Sequence, residues 1–290
     1  MAILETTLAA GLLAGWAFAV EPFRLAIRRY GVPWPAPAEG RLRIGVLSDL
    51  HAAWPHVTPG RITRIVRRLL AQRPEVVLLA GDFATTDTLG VVPVPPARMA
   101  AALAPLAARV PCFAVLGNHD HDHGAGEVAE ALEAAGIRVL VNEHVRIPAP
   151  FGELVLVGVD DPVTGRDDVA RALAGVAPDE PVLLLAHAPD LHLRLPPQVV
   201  LLVAGHTHGG QVRLPGLPPP VTMSRLPRRQ AHGFHHDRGR RLVVSAGIGT
   251  TGLPLRFARP PELVVLDLTA TGRRGRPRPD AWALAADPAT

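Results

Sequence analysis

Five short polar blocks, each following an apolar run, constrain this chain more than any other feature. They are Asp49-Leu50-His51, Gly81-Asp82, Gly117-Asn118-His119-Asp120, His187 and Gly205-His206-Thr207-His208, spread over 160 residues. The runs ahead of them, Arg43 to Leu47, Val76 to Ala80, Cys112 to Leu116, Val182 to Ala186 and Val199 to Ala204, read as strands. Residues just beyond strand ends in an α/β fold collect on one rim of the sheet. Blocks distant in sequence are therefore expected to meet in space.

Their chemistry narrows the reading. Asp, His and Asn offer seven oxygen and nitrogen ligands and no sulfur. That is too many for one four-coordinate zinc and suits two ions that share a carboxylate. Two divalent ions about 3.5–4 Å apart can hold a bridging hydroxide and neutralise a phosphoryl group during in-line attack. Hydrolysis of a phosphate ester is the reaction such a set implies.

At these blocks the sequence resembles the calcineurin-like metallophosphoesterases, whose pattern D-x-H, G-D, G-N-H-D/E, H and G-H-x-H is filled here in order between about Arg43 and Leu268. One block alone would be weak; five in order are specific. The resemblance implies a four-layer α/β/β/α sandwich of two mixed sheets, with a dinuclear metal site at the strand ends. It places Asp49, His51 and His208 on one ion, Asp82 as the bridge, and Asn118, His187 and His206 on the other. The ions would be Mn, Fe, Zn or Co, all of which tolerate mixed nitrogen and oxygen ligands. His119 matches the non-ligand histidine that contacts the scissile phosphate and helps protonate the leaving group. Where many members carry an Asp to orient that histidine this chain has Thr85, which leaves Asp87 or Asp120 for the role.

A narrower resemblance lies in Glu21 to Arg24, Gly205 to Arg213, Ser245 to Pro254, Arg256-Phe257 and Pro260 to Glu262. These stretches are similar to the membrane-associated bacterial phosphodiesterase branch of the family. The branch implies a phosphodiesterase or pyrophosphatase acting on a membrane-linked or nucleotide-containing substrate. The alternatives are a phosphomonoesterase or phosphoprotein phosphatase, or a non-catalytic interaction scaffold; scaffold members usually lose ligands, and this chain has lost none.

The N-terminus bears on location. Ile3 to Val20 is interrupted only by Glu5 and two threonines, with 13 unbroken apolar residues from Leu8. No basic residue precedes it, as a signal peptide would want, and Arg24, Arg28 and Arg29 follow. We expect residues 1–30 to be an uncleaved membrane anchor with an amphipathic segment, either spanning or lying on the bilayer. By the positive-inside rule the catalytic domain then lies on the cytoplasmic side. Pro33 to Gly40 reads as a linker (31–40), 41–268 as the catalytic domain and 269–290, rich in Gly, Pro, Arg and Ala, as a flexible tail.

All 30 basic residues are arginine, and the net charge is only +4. With no aromatic-rich basic stripe, nucleic acid is not expected as the main partner. Arg213, Arg225, Arg228 and Arg229 are candidates for substrate phosphate, since guanidinium pairs bidentately with phosphate oxygens. His121 and His123 are expected to be exposed loop residues rather than extra ligands, while His232, His235 and His236 either line the pocket or are plain surface residues. Cys112, alone in the chain, is expected to be a buried core residue.

Overall fold

The computed structural model describes residues 2–214, 216–237 and 239–272. One sheet contains β1 (Ala26–Trp34), β2 (Glu39–Leu47), β4 (Val76–Ala80), β6 (Cys112–Val115), β7 (Arg138–Val139) and β14 (Glu262–Thr271), in the spatial order β1-β14-β2-β4-β6-β7. The other contains β8 (Glu143–Ala149), β9 (Gly152–Gly158), β10 (Val182–Leu185), β11 (Val199–Ala204), β12 (Gly233–Asp237) and β13 (Arg240–Val244), in the order β12-β13-β11-β10-β9-β8. Both are mixed: β14 runs antiparallel to β2, and β8 and β12 run antiparallel to their neighbours. A short ribbon joins β3 (Ala53–Trp54) to β5 (Val92–Pro93).

The apolar runs are continuous because the central strands are buried on both faces. In β4, Val77 and Leu79 pack under the helices while Val76, Leu78 and Ala80 face the second sheet. In β10, Leu183 and Leu185 face the first sheet, and Val182 and Leu184 turn outward. The helices α2 (Pro59–Leu70), α3 (Pro96–Ala107) and α4 (Asn118–Ala134) cover the first sheet through Ile62, Leu69, Leu103 and Leu132. The outer face of the second sheet has a thinner cover, α5 (Val169–Ala172) and the 3-10 turn Pro189–Arg194, which contribute Ala172 and Leu191. The result is the expected four-layer sandwich. Cys112 is a buried core residue.

The N-terminal boundaries differ from expectation. After α1 (Ala2–Ala19), Ala26–Trp34 pairs in parallel with β14 along its whole length, and β2 begins at Glu39. The stretch expected to lie along a membrane and the expected linker 31–40 are therefore largely strand. Alternating arginine and apolar residues suit an edge strand as well as an amphipathic helix, and Val32 and Trp34 bury against the second sheet. The domain also runs past Leu268 to Thr271; residues 273–290 of the expected tail lie outside the described residues.

Candidate metal centre

The strands that carry the blocks end at one rim. β2, β4 and β6 are parallel neighbours in one sheet, and β10 and β11 are parallel neighbours in the other. Backbone bonds lace the loops beyond them, with Asp49 N–H donating to Gly81 O at 2.9 Å and Gly205 N–H to His187 O at 2.9 Å. Glycine is required where loops press on carboxylates. A Cβ at Gly117 would lie 2.2 Å from Asp82 Oδ1, and one at Gly205 would lie 2.4 Å from Asp49 Oδ2.

The backbone is strained at the blocks. Asp49, His51, Asp82, His206 and His208 have φ of 49°, 41°, 54°, 70° and 50°. Left-handed conformations cost non-glycine residues of the order of 1–3 kcal/mol each and persist where the surroundings over-determine them, which is common at functional sites.

Three overlapping groups of ligand atoms result, each with its members within 4.8 Å of one another: Asp49, His51 and His208; Asp82, His187 and His206; and, between them, His51, Asp82 and His119. Tautomers follow from the hydrogen bonds. His187 Nδ1–H donates to Ala80 O at 2.8 Å, and His206 Nε2–H donates to Met223 O at 3.0 Å. The remaining nitrogens, His187 Nε2 and His206 Nδ1, then present lone pairs to each other at 3.2 Å, with Asp82 Oδ2 at 3.1 Å from His187 Nε2. Convergent lone pairs, with backbone carbonyls fixing the imidazoles from behind, are what a divalent cation requires. On the other side, His51 Nε2 lies 3.1 Å from His208 Nε2 and 3.4 Å from Asp82 Oδ2, and His208 Nε2 lies 3.7 Å from Asp49 Oδ1. Asp49 Oδ2 and Asn118 Oδ1 are buried with no hydrogen-bond partner, a costly state that a metal ion would relieve. The residues fit a metal centre.

The cluster's electrostatics agree. Burial pushes the Asp82 carboxyl up, but His187 and His51 against it outweigh that and hold it well below the usual carboxylate range. Burial opposes charge on His187, yet Asp82 and Asp49 push it up to about 10. A proton on His187 and a cation at the same nitrogen answer the same negative charge. Burial, with His51 and Arg256 nearby, pushes His208 well down, so its imidazole is neutral as a ligand must be.

His119 sits beside this cluster, its ring edge-on to His51 at 4.8 Å between centroids. Its backbone N–H donates to Asp82 Oδ1 at 3.0 Å. Nδ1 is 2.7 Å from Thr86 Oγ1 and 3.9 Å from Asp87 Oδ1, while the Thr251 hydroxyl donates to Asp87 at 3.1 Å. Asp120, expected to share in catalysis, does other work. Its Oδ1 accepts from Phe83 N–H and Ala84 N–H at 2.8 and 2.9 Å, and its Oδ2 accepts from Gly117 N–H at 2.9 Å. That carboxylate is fully buried and ties the Asp82 loop to the start of α4, so it does not orient His119.

Arg213, Arg225, Arg228 and Arg229 are exposed, and among the described residues none of their side chains is hydrogen-bonded to the cluster. His121 pairs with Asp160 at 2.7 Å, His123 with Glu127 at 3.8 Å and His232 with Glu262 at 2.8 Å. His235 Nε2 meets His232 O at 2.8 Å.

Sequence reasoning missed Arg256 as a site residue. Its guanidinium is fully buried and donates to Gly249 O, to Ala246 O at 2.7 Å and to Arg259 O at 3.2 Å. It thereby holds the loop whose Ile248 N–H reaches Asp49 O at 3.2 Å, and its Nη2 lies 3.4 Å from His208 Nδ1. Burial pushes it down to about 10 against the pull of Asp49 and Glu262. The signal was its place in the Arg256-Phe257 stretch, but about one residue in ten here is arginine, and that masked it.

Comparison with known proteins agrees with this geometry. The calcineurin-like phosphoesterase family profile matches residues 42–210. An uncharacterized metallophosphoesterase of Aquifex aeolicus (strain VF5) is 30% identical over 87% of this chain and 95% of its own length. Phosphodiesterase YaeI of Escherichia coli (strain K12) is 30% identical over 88% of this chain and 92% of its own. A Bos taurus transmembrane protein with metallophosphoesterase domain is 28% identical over 93% of this chain and 62% of its own. With the strand-end cluster and these relatives together, the chain belongs to the calcineurin-like phosphoesterase family and is a metal-dependent phosphoester hydrolase.

Proposed function

We propose that the chain hydrolyses phosphodiester or pyrophosphate bonds with two divalent ions. Asp49, His51 and His208 hold one, Asn118, His187 and His206 hold the other, and Asp82 lies between them. The observation that carries this is Asp82 Oδ2, which faces His51 Nε2 at 3.4 Å and His187 Nε2 at 3.1 Å, so one carboxylate oxygen serves both groups. When bound, such ions supply Lewis acidity to the phosphoryl oxygens and activate the attacking water. His119 gives its proton to the leaving oxygen as the bond from that oxygen to phosphorus breaks. Thr86 and Asp87 hold its Nδ1, the work expected of an acid at position 85. Of the four candidate arginines for substrate phosphate, Arg225 is the nearest in sequence to the Met223 carbonyl that fixes His206.

The substrate is membrane-linked or nucleotide-containing, and the domain is anchored on the cytoplasmic side. Two observations support the anchoring. The stretch Glu5–Phe23 is long and apolar enough to cross a membrane, and positive charge follows it at Arg24, Arg28 and Arg29. The diesterase reading draws on the likeness to the E. coli phosphodiesterase.

Chelator-stripped protein reloaded with Mn, Fe, Zn or Co tests the proposal. Two equivalents of metal should restore hydrolysis of a chromogenic diester, and Asp82→Asn should lose both the metal and the activity. Full activity with two equivalents in that variant, or activity indifferent to chelation, would overturn it.

A further inference from the structure

Several large apolar side chains point into solvent from the β3–β5 ribbon and the loops that follow the metal-ligand blocks. Trp54, Leu89, Val92, Val221, Met223 and Leu253 are each between 51% and 65% exposed. Scattered exposed hydrophobes are ordinary, whereas connected ones mark an interaction surface. The segments that carry Trp54, Leu89, Val92 and Leu253 are linked. Trp54 pairs with Val92 in the short ribbon, Leu89 N–H donates to Gly252 O at 2.9 Å, and Gln211 Nε2 donates to Leu253 O at 3.0 Å. Met223 carries the carbonyl that fixes His206, and the segment containing Leu89 carries Thr86, the partner of His119.

The collar is also continuous with the apolar helix. His56, two residues after Trp54, meets Phe18 O at 3.0 Å, and Arg256 N–H donates to Ala17 O at 3.0 Å. Glu21 is buried, accepting from Trp16 Nε1 at 2.8 Å and Ala258 N–H at 2.9 Å, so the end of α1 is fixed to the domain rather than tethered by a linker. Exposed arginines at 213 and 225 border the collar.

We propose that this collar seats in the interface of a bilayer containing anionic lipid, so that the metal centre opens onto the membrane and takes an amphiphilic phosphoester from it. An apolar rim with cationic neighbours, rigidly joined to an apolar helix, has the composition that interfacial insertion needs. The proposal rests on the hydrolase reading above but is tested separately from it. An environment-sensitive fluorophore is placed in full-length protein at Leu89→Cys or Leu253→Cys, with Glu153→Cys on a distant exposed strand as control; native Cys112 is buried. In vesicles with a fifth phosphatidylglycerol, the collar labels should shift to the blue and be quenched by brominated lipid, and the control should do neither. The full-length triple variant Leu89→Ser, Val92→Ser, Leu253→Ser should turn over a lipid-bearing diester in those vesicles at least tenfold more slowly, with a soluble chromogenic diester changed less than twofold. Unquenched collar labels on vesicle-bound protein would overturn the proposal. So would a blue shift that grows with protein concentration in detergent, which would make a second copy the occupant. Loss of all hydrolysis with quenching intact would instead strike at the metal chemistry.

Discussion

Asp120→Ala separates two roles that the sequence could not. The carboxylate satisfies three buried backbone amides, at Phe83, Ala84 and Gly117. Each orphaned donor costs about 1–3 kcal/mol. Water entering the space left by the side chain favours the low end, giving a loss of about 4 kcal/mol. For a domain of this size each kcal/mol lowers the melting midpoint by about 2–4 °C, so a fall of roughly 8–16 °C is expected. Circular dichroism melts of the metal-free full-length protein in detergent give the shift, and turnover of a chromogenic diester at saturating metal gives the chemistry. We expect the folded fraction to regain most of its activity once excess metal offsets a looser Asp82 loop. An unchanged midpoint with a hundredfold lower kcat would refute the reasoning and return Asp120 to catalysis.

His119→Ala should keep its metal and slow turnover by roughly a hundredfold, the usual size of a lost general acid, with a smaller effect on a nitrophenolate leaving group; equal losses on good and poor leaving groups would argue for phosphate positioning alone. Thr86→Val should reproduce part of that loss, roughly tenfold, and add nothing to His119→Ala in the double variant, because the hydroxyl acts only through the imidazole. Deleting residues 2–15 should release the protein to the soluble fraction and leave small-diester turnover within about twofold, whereas deleting 1–30 should abolish folding because it removes Glu21 and half of β1. Soluble, active protein after the longer deletion would contradict the docked N-terminus.

The metal blocks were legible because ligand chemistry restricts residue type and the strand ends supply the geometry. The double-faced burial of the central strands made the apolar runs plain. What escaped was decided by contacts remote in sequence. Ala26–Trp34 becomes a strand only because β14, more than two hundred residues later, offers it an edge. Asp120 looks like a neighbour of His119 until the turn into α4 points its carboxylate at residues 83 and 84. Thr86 is not legible in the sequence, because a loop with no periodicity gives no clue to which hydroxyl faces the ring.

The left-handed backbone at Asp49, His51, Asp82, His206 and His208 has an evolutionary consequence. Away from glycine, that region of φ/ψ space favours Asp, Asn and His, and it penalises β-branched and bulky side chains. The main chain thus filters the alphabet that mutation can sample at the centre before any metal is considered. Exchange among Asp, Asn and His meets little backbone resistance. Cysteine or glutamate at those five positions would cost more in the main chain, so the turns weigh on the choice of metal alongside the ligands.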